Sequence, residues 1–160
     1  MSTDQKTAAV TTPTDRTIRI EREFDAPRDR VFAVYTDPAL IPGWWGLRDS
    51  STVVEEMDVR VGGRWRFANT DCDGNVTGFS GAYREIVPNE RISQTFEWDG
   101  MPGYVSVETA TFIDLGDRTR VVTETLFFTT EERDGMLGSG MEIGLNQTYQ
   151  RLDELLARTA

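Results

Sequence analysis

Residues Gly140 to Arg158 read as a single long amphipathic helix. On a wheel of ~100° per residue, Leu137, Met141, Leu145, Thr148, Tyr149, Leu152, Leu155 and Leu156 fall on one side, opposite Ile143, Asn146, Gln150, Asp153 and Glu154. A helix with one apolar face must bury it against another layer, and at a rise of about 1.5 Å per residue this one is about 28 Å long, enough to cross a small sheet. Ser139 with Glu142 three residues on marks its start, each side chain satisfying an unpaired backbone N–H of the other. Gly138, Gly140 and Gly144 weaken a helix relative to alanine, which implies that backbone there passes close to a neighbour or leaves room for one.

The upstream sequence supplies the layer. Thr17 to Phe24 alternates, with Ile18, Ile20 and Arg22 on one side, and reads as a strand. Pro27, suited to a helix start, followed by Val31, Phe32 and Tyr35, predicts a short helix to Tyr35. Thr36-Asp37-Pro38 ends it and begins a further turn or two, reaching Trp44-Trp45. Val53 to Arg60, Arg64 to Asn69, Gly78 to Val87, Arg91 to Trp98, Val105 to Leu115 and Thr119 to Phe128 then read as strands, separated by Gly62-Gly63, Asp73-Gly74-Asn75, Pro88-Asn89, Asp99-Gly100 and Gly116-Asp117. Together they predict an α+β domain with a seven-stranded antiparallel sheet, spanning residues 16–160. Met1 to Asp15, Thr-rich and without periodicity, reads as a disordered tail.

Composition narrows the function. A chain of 160 residues with 38% hydrophobic residues fits one domain with a real core. Its 17 basic and 27 acidic residues leave a formal charge of -10, which repels phosphate backbones and anionic lipid surfaces, so neither nucleic acid nor membrane is an expected partner. The single cysteine, Cys72, forbids an internal disulfide, and no apolar run reads as a membrane span or a secretory leader, so the expected location is cytoplasmic. Histidine is absent, which removes the commonest general base, metal ligand and partner of a nucleophile. Catalysis would rest on carboxylates, Tyr83, Tyr104, Lys or Arg.

Phe24-Asp25-Ala26-Pro27 with Val31-Phe32, Thr36-Asp37-Pro38, Trp44-Trp45-Gly46, Asp58-x-Arg60-x-Gly62-Gly63-Arg64-Trp65, Gly81-x-Tyr83-Arg84-Glu85-Ile86 to Glu90-Arg91-Ile92, and Gly140-Met141-Glu142 to Arg151-Leu152 occur in an order that resembles the START-like, or SRPBCC, superfamily. More narrowly, they resemble bacterial homologues of the C-terminal domain of the heat-shock-protein ATPase activator. The resemblance implies a helix-grip fold: a seven-stranded curved sheet around the C-terminal helix, with two short helices after the first strand. It leaves function open, since the superfamily includes lipid carriers, hormone receptors and aromatase/cyclases.

Strand parity selects the site. A concave face carrying Trp65, Phe67, Ile92, Phe96, Trp98 and Phe112 also carries Gln94, Ser106, Glu108 and Ala110, and Thr123 and Thr125 share a parity on the last strand. With Met141, Gly144 and Leu145 from the helix, these residues are expected to line a cavity for a small hydrophobic or aromatic molecule. Trp44 and Trp45 either stack on that ligand at the mouth or plug the core. Glu108, among aromatics, is the expected ligand contact or acid/base group. Binding without turnover is the favoured reading, with no catalytic residue, cofactor or metal. The alternatives are a polyketide cyclase-like enzyme using Glu108 and Tyr104, and a chaperone-interaction module, with a chaperone or a second copy of the chain as partner. Asp58, Arg60 and Glu85 read as turn-locking ion pairs. Asp71-Cys72-Asp73-Gly74-Asn75 reads as a hairpin turn, its glycine and missing glutamate being wrong for a calcium loop, and leaves Cys72 an exposed thiol.

Overall fold

The computed structural model describes residues 7–158. Its elements are β1 (Ala9–Thr11), β2 (Thr17–Phe24), α1 (Arg28–Thr36), a single 3-10 turn (Ile41–Gly43), β3 (Ser51–Met57), β4 (Arg64–Thr70), β5 (Val76–Val87), β6 (Arg91–Trp98), β7 (Val105–Asp114), β8 (Thr119–Leu126), α2 (Thr130–Gly138) and α3 (Met141–Arg158). The strands pair antiparallel in the order β1-β2-β8-β7-β6-β5-β4-β3. Strands β3 to β8 therefore form a meander, while α1 and the 3-10 turn carry the chain from β2 to the opposite edge. The result is the helix-grip arrangement, a curved, unclosed sheet with a long C-terminal helix.

Alternation in β2 turns Ile18, Ile20, Arg22 and Phe24 inward. Beneath the C-terminal half of α3, the side chains of Phe24, Val31, Val34, Ile41, Leu152, Leu155 and Leu156 form a closed core. Tyr149 meets Phe24 edge-on, with ring centroids 5.3 Å apart. The N-terminal half of α3 is covered less: Met141, Gly144 and Leu145 are only half-buried. One helix thus closes the core at one end and overhangs open space at the other.

An ion pair fixes the helix to the sheet. Arg22, with 1% of its side chain exposed, donates from both terminal nitrogens to the Asp153 carboxylate, at 3.0 and 2.6 Å. Its guanidinium also lies 4.8 Å from the Phe24 ring centroid. The helical wheel places Asp153 facing outward; instead it reaches down to the buried Arg22. Asn146, assigned the same outer face, accepts the Ala8 N–H at 3.0 Å.

Three local features differ from the sequence reading. The sheet has eight strands, because Ala9–Thr11, placed within the tail, pairs with Glu21 to Arg19 on the edge of β2. That edge otherwise leaves a row of unpaired backbone groups. Residues 1–6 of the expected tail lie outside the described residues. A helix also precedes α3, capped by Thr129, whose hydroxyl accepts the Glu132 N–H at 3.2 Å and meets the Glu132 carboxylate at 3.0 Å. The capping pair is therefore Thr129/Glu132 and not Ser139/Glu142. Ser139 closes α2, its N–H and hydroxyl both donating to the Met136 carbonyl, and Gly140 turns the chain at φ 80° into α3.

Gly81 shows how tightly the sheet is packed beside the site. A Cβ there would stand 1.9 Å from the Thr95 carbonyl oxygen and 2.7 Å from Nε1 of Trp65, its cross-strand partner. Gly81→Ala is expected to destabilise the fold by ~1–3 kcal/mol through overpacking, seen as a lower urea midpoint with an unchanged far-ultraviolet spectrum.

Candidate ligand cavity

Register across the sheet assembles the floor of a cleft. Tyr83, Gln94, Glu108, Thr125 and Ile18 stand opposite one another on β5, β6, β7, β8 and β2, and Ile92, Ala110, Thr123 and Ile20 form the neighbouring row. Both rows point to the concave face and line a cavity of about 1260 Å³ between sheet and α3. Small-molecule pockets commonly measure roughly 300–1,000 Å³, so the space suits a ligand of several rings.

Aromatic side chains form the wall. Trp45 packs edge-on against Phe67 and Phe79, at 5.2 and 5.1 Å, and Phe79 stacks beside Phe96 at 5.5 Å. Trp44 takes the packing role: it is buried, donates from Nε1 to the Val34 carbonyl at 3.0 Å and leans on Tyr35. The loop after Trp45 is tied to α3, since the Gly46 carbonyl accepts from the Thr148 hydroxyl and an Arg151 terminal nitrogen. Leu47 then projects toward Gly144, where an added Cβ would meet its side chain at 3.2 Å.

The floor also carries titratable groups. Glu108 makes no salt bridge among the described residues, and burial pushes its carboxyl from 4.5 up to about 7. Above it, from α1 and α3, Tyr35 and Tyr149 face the same space. Burial, then the neighbouring Tyr149 and after it Glu108, raises the Tyr35 hydroxyl, and burial raises Tyr149 to about 12 against an opposing interaction with Thr123. The Tyr35 hydroxyl is buried and lies close enough to Tyr149 for the two to interact, but it makes no well-formed hydrogen bond among the described residues. Tyr83 is likewise raised to about 12, by burial and then by Asp58.

Of the residues selected from sequence, Trp44, Trp45, Phe67, Gln94, Phe96, Trp98, Glu108, Thr123, Thr125, Met141, Gly144 and Leu145 line the cavity. Trp65 and Phe112 do not. Trp65 lies across Gly81 beneath Phe67 and Phe96, and Phe112 is covered edge-on by Phe32 and Tyr35 of α1. Each has the correct parity but is sealed by its neighbours. Tyr104 stands on the rim, 47% exposed, away from the enclosed floor that holds Glu108. Sequence reasoning missed Tyr35, Phe79 and Tyr149 as lining residues, along with the rim contributed by α2. The parity of Phe79 with Tyr83 and the position of Tyr149 on the apolar helix face were the available signals. Asp58 pairs with Arg60, and Glu85 with Arg91, both in solvent, while the Asp71 carboxylate caps its own hairpin turn.

The family profile of Activator of Hsp90 ATPase homolog 1-like proteins matches residues 25–157. The chain belongs to that family. Solved structures carry the same fold. A protein from Rhodobacter sphaeroides superposes with a TM-score of 0.87 at 22% identity, over 96% of this chain and 99% of that one. One from Arthrobacter aurescens gives 0.85 at 24%, over 94% and 91%, and one from Mycobacterium smegmatis 0.84 at 25%, over 96% and 99%. Comparison with curated proteins finds no match. Family and fold together support, at a coarse level, a ligand-binding or activator-like module. No helix among the described residues is long and apolar enough to cross a membrane.

Proposed function

We propose that the protein binds, without turning over, a small hydrophobic or aromatic molecule held between the concave sheet and the N-terminal half of α3. The supporting observation is the cavity itself: about 1260 Å³, walled by aromatics, with a few polar groups on one floor. Native mass spectrometry of freshly purified protein, followed by extraction, tests for a retained ligand. Gly144→Phe directs a ring at Leu47 across the mouth and is expected to abolish uptake while leaving circular dichroism unchanged. Undiminished uptake by that variant would place binding elsewhere.

One observation favours a second reading. A carboxyl near neutrality suits general acid–base work, so Glu108 supports a cyclase-like activity on a ring-forming substrate. Conversion of such a substrate that Glu108→Gln abolishes, with binding retained, decides for the enzyme. The family's name raises chaperone activation, for which a pull-down with the bacterial heat-shock chaperone under ATP is the direct test.

A further inference from the structure

The side chains lining the cavity are charged in one sense only. Glu108 lies on the floor and Glu131 and Glu132 on the rim, and among the described residues neither lysine nor arginine lines the cavity, although the chain has 17 of them. The buried arginine of β2, Arg22, is held by Asp153 and by the Glu23 carbonyl. A carboxylate ligand entering this space would meet like charge throughout and find no cation to receive it.

The same cavity is lined by the aromatic side chains of Trp45, Phe67, Phe79 and Phe96, and by the more exposed rings of Trp98 and Tyr104. Aromatic faces attract cations, most strongly where water is excluded. Glu108 and Gln94, side by side on β7 and β6, make no side-chain hydrogen bond with each other or with another described residue. Glu108 is half-buried, so its charged form is disfavoured without being sealed from water, and an incoming positive group supplies a partner that the described residues do not.

We propose that the cavity receives a hydrophobic molecule bearing a protonated amine, with the ammonium seated on the Glu108 carboxylate and the apolar body against the aromatic wall. The proposal rests on the reading of the cavity as a binding site and specifies the chemical class of its occupant. Five neighbours face Glu108 from the surrounding elements: Gln94 on β6, Thr125 on β8, Tyr35 on α1, Tyr149 on α3 and, beyond them, Arg22 on β2 in its pair with Asp153. None of these supplies a free cation. An ammonium selects the ionised carboxylate, so below pH 7 binding must first expel a proton from Glu108, and affinity falls by up to ~10-fold per pH unit. A neutral ligand that accepts a hydrogen bond selects the protonated carboxyl and shows the opposite slope.

Three naphthalene probes that differ only in their end group, an ammonium, a hydroxyl or a carboxylate on the same short alkyl arm, make the test by calorimetric titration from about pH 5 to about pH 9. The ammonium probe is expected to bind at least about tenfold more tightly than the hydroxyl probe at pH 8, and the carboxylate probe least, as a charge-assisted contact implies. Glu108→Gln is expected to collapse the ammonium preference to within about twofold, and Glu108→Asp, which keeps the charge, to retain part of it. Circular dichroism verifies that both variants fold. A preference for the hydroxyl or carboxylate probe, or an ammonium preference that survives Glu108→Gln, overturns the proposal while leaving the cavity a binding site. Failure of all three probes to bind overturns the binding reading, and this proposal with it.

Discussion

Asp153→Ala is expected to lower the unfolding free energy by about 3 kcal/mol, the lower end of the range for removing one partner of a buried ion pair. Asp153 itself is 35% exposed on its side chain, whereas Arg22 is 1% exposed, so the variant takes the carboxylate from a guanidinium that cannot reach water and still donates to the Glu23 carbonyl. For a domain of this size, the melting temperature should fall by roughly 6–12 °C. Arg22→Met should cost less, because it leaves a carboxylate that can turn to solvent. The double variant Arg22→Met/Asp153→Leu should recover much of the loss, since desolvation of both charges disappears with the pair. Calorimetry on the three variants measures the order, and a double variant no better than Asp153→Ala would show that Arg22 contributes chiefly through its packing on Phe24 and Tyr149.

The strands were legible because their pattern was strict. Thr17–Phe24 and Arg91–Trp98 have the bounds that alternation predicts, and the parity that put Glu108 beside Gln94 on the concave face survives a register shift between Tyr83 and Glu85. Elements with little apolar periodicity were not legible. Thr130–Gly138 buries none of its residues and contains Gly135, so nothing in its pattern distinguishes it from a loop except the Thr129/Glu132 cap. Strand Ala9–Thr11 is three residues long and is ordered by the open edge of β2, a partner that local sequence does not reveal. Trp65 and Phe112 illustrate a different limit. Period two assigns a side chain to a face, but whether it meets the cavity depends on what packs above it: Phe67 and Phe96 for the first, α1 for the second. Tyr35 and Tyr149 were hidden for the same reason, since helix periodicity marks a side chain as inward without saying that it lines a cavity.

The stability of the empty protein should fall as pH rises through the weakly acidic range, and Glu108 is the reason. Its carboxyl titrates near 7 in the folded chain and near 4.5 when exposed, so the folded state binds more protons between those values. The contribution is fully present below about pH 4.5, declines as pH climbs to about 7 and stays lost above it. At ~1.4 kcal/mol per unit, the difference reaches up to about 3 kcal/mol, with water in the open part of the cleft reducing it. Glu108→Gln keeps the shape and cannot ionise. It is therefore expected to be more stable than the native protein by up to about 3 kcal/mol at pH 8, with the difference vanishing by pH 4, as measured by urea denaturation of both proteins at each pH. A difference that does not change with pH would mean that the carboxylate is already compensated in the empty cavity, and would remove the electrostatic argument for a cationic occupant. If the gap does open above neutrality, a ligand that neutralises Glu108 should close it, because whatever binds only the folded state adds stability that grows with the logarithm of its concentration above Kd.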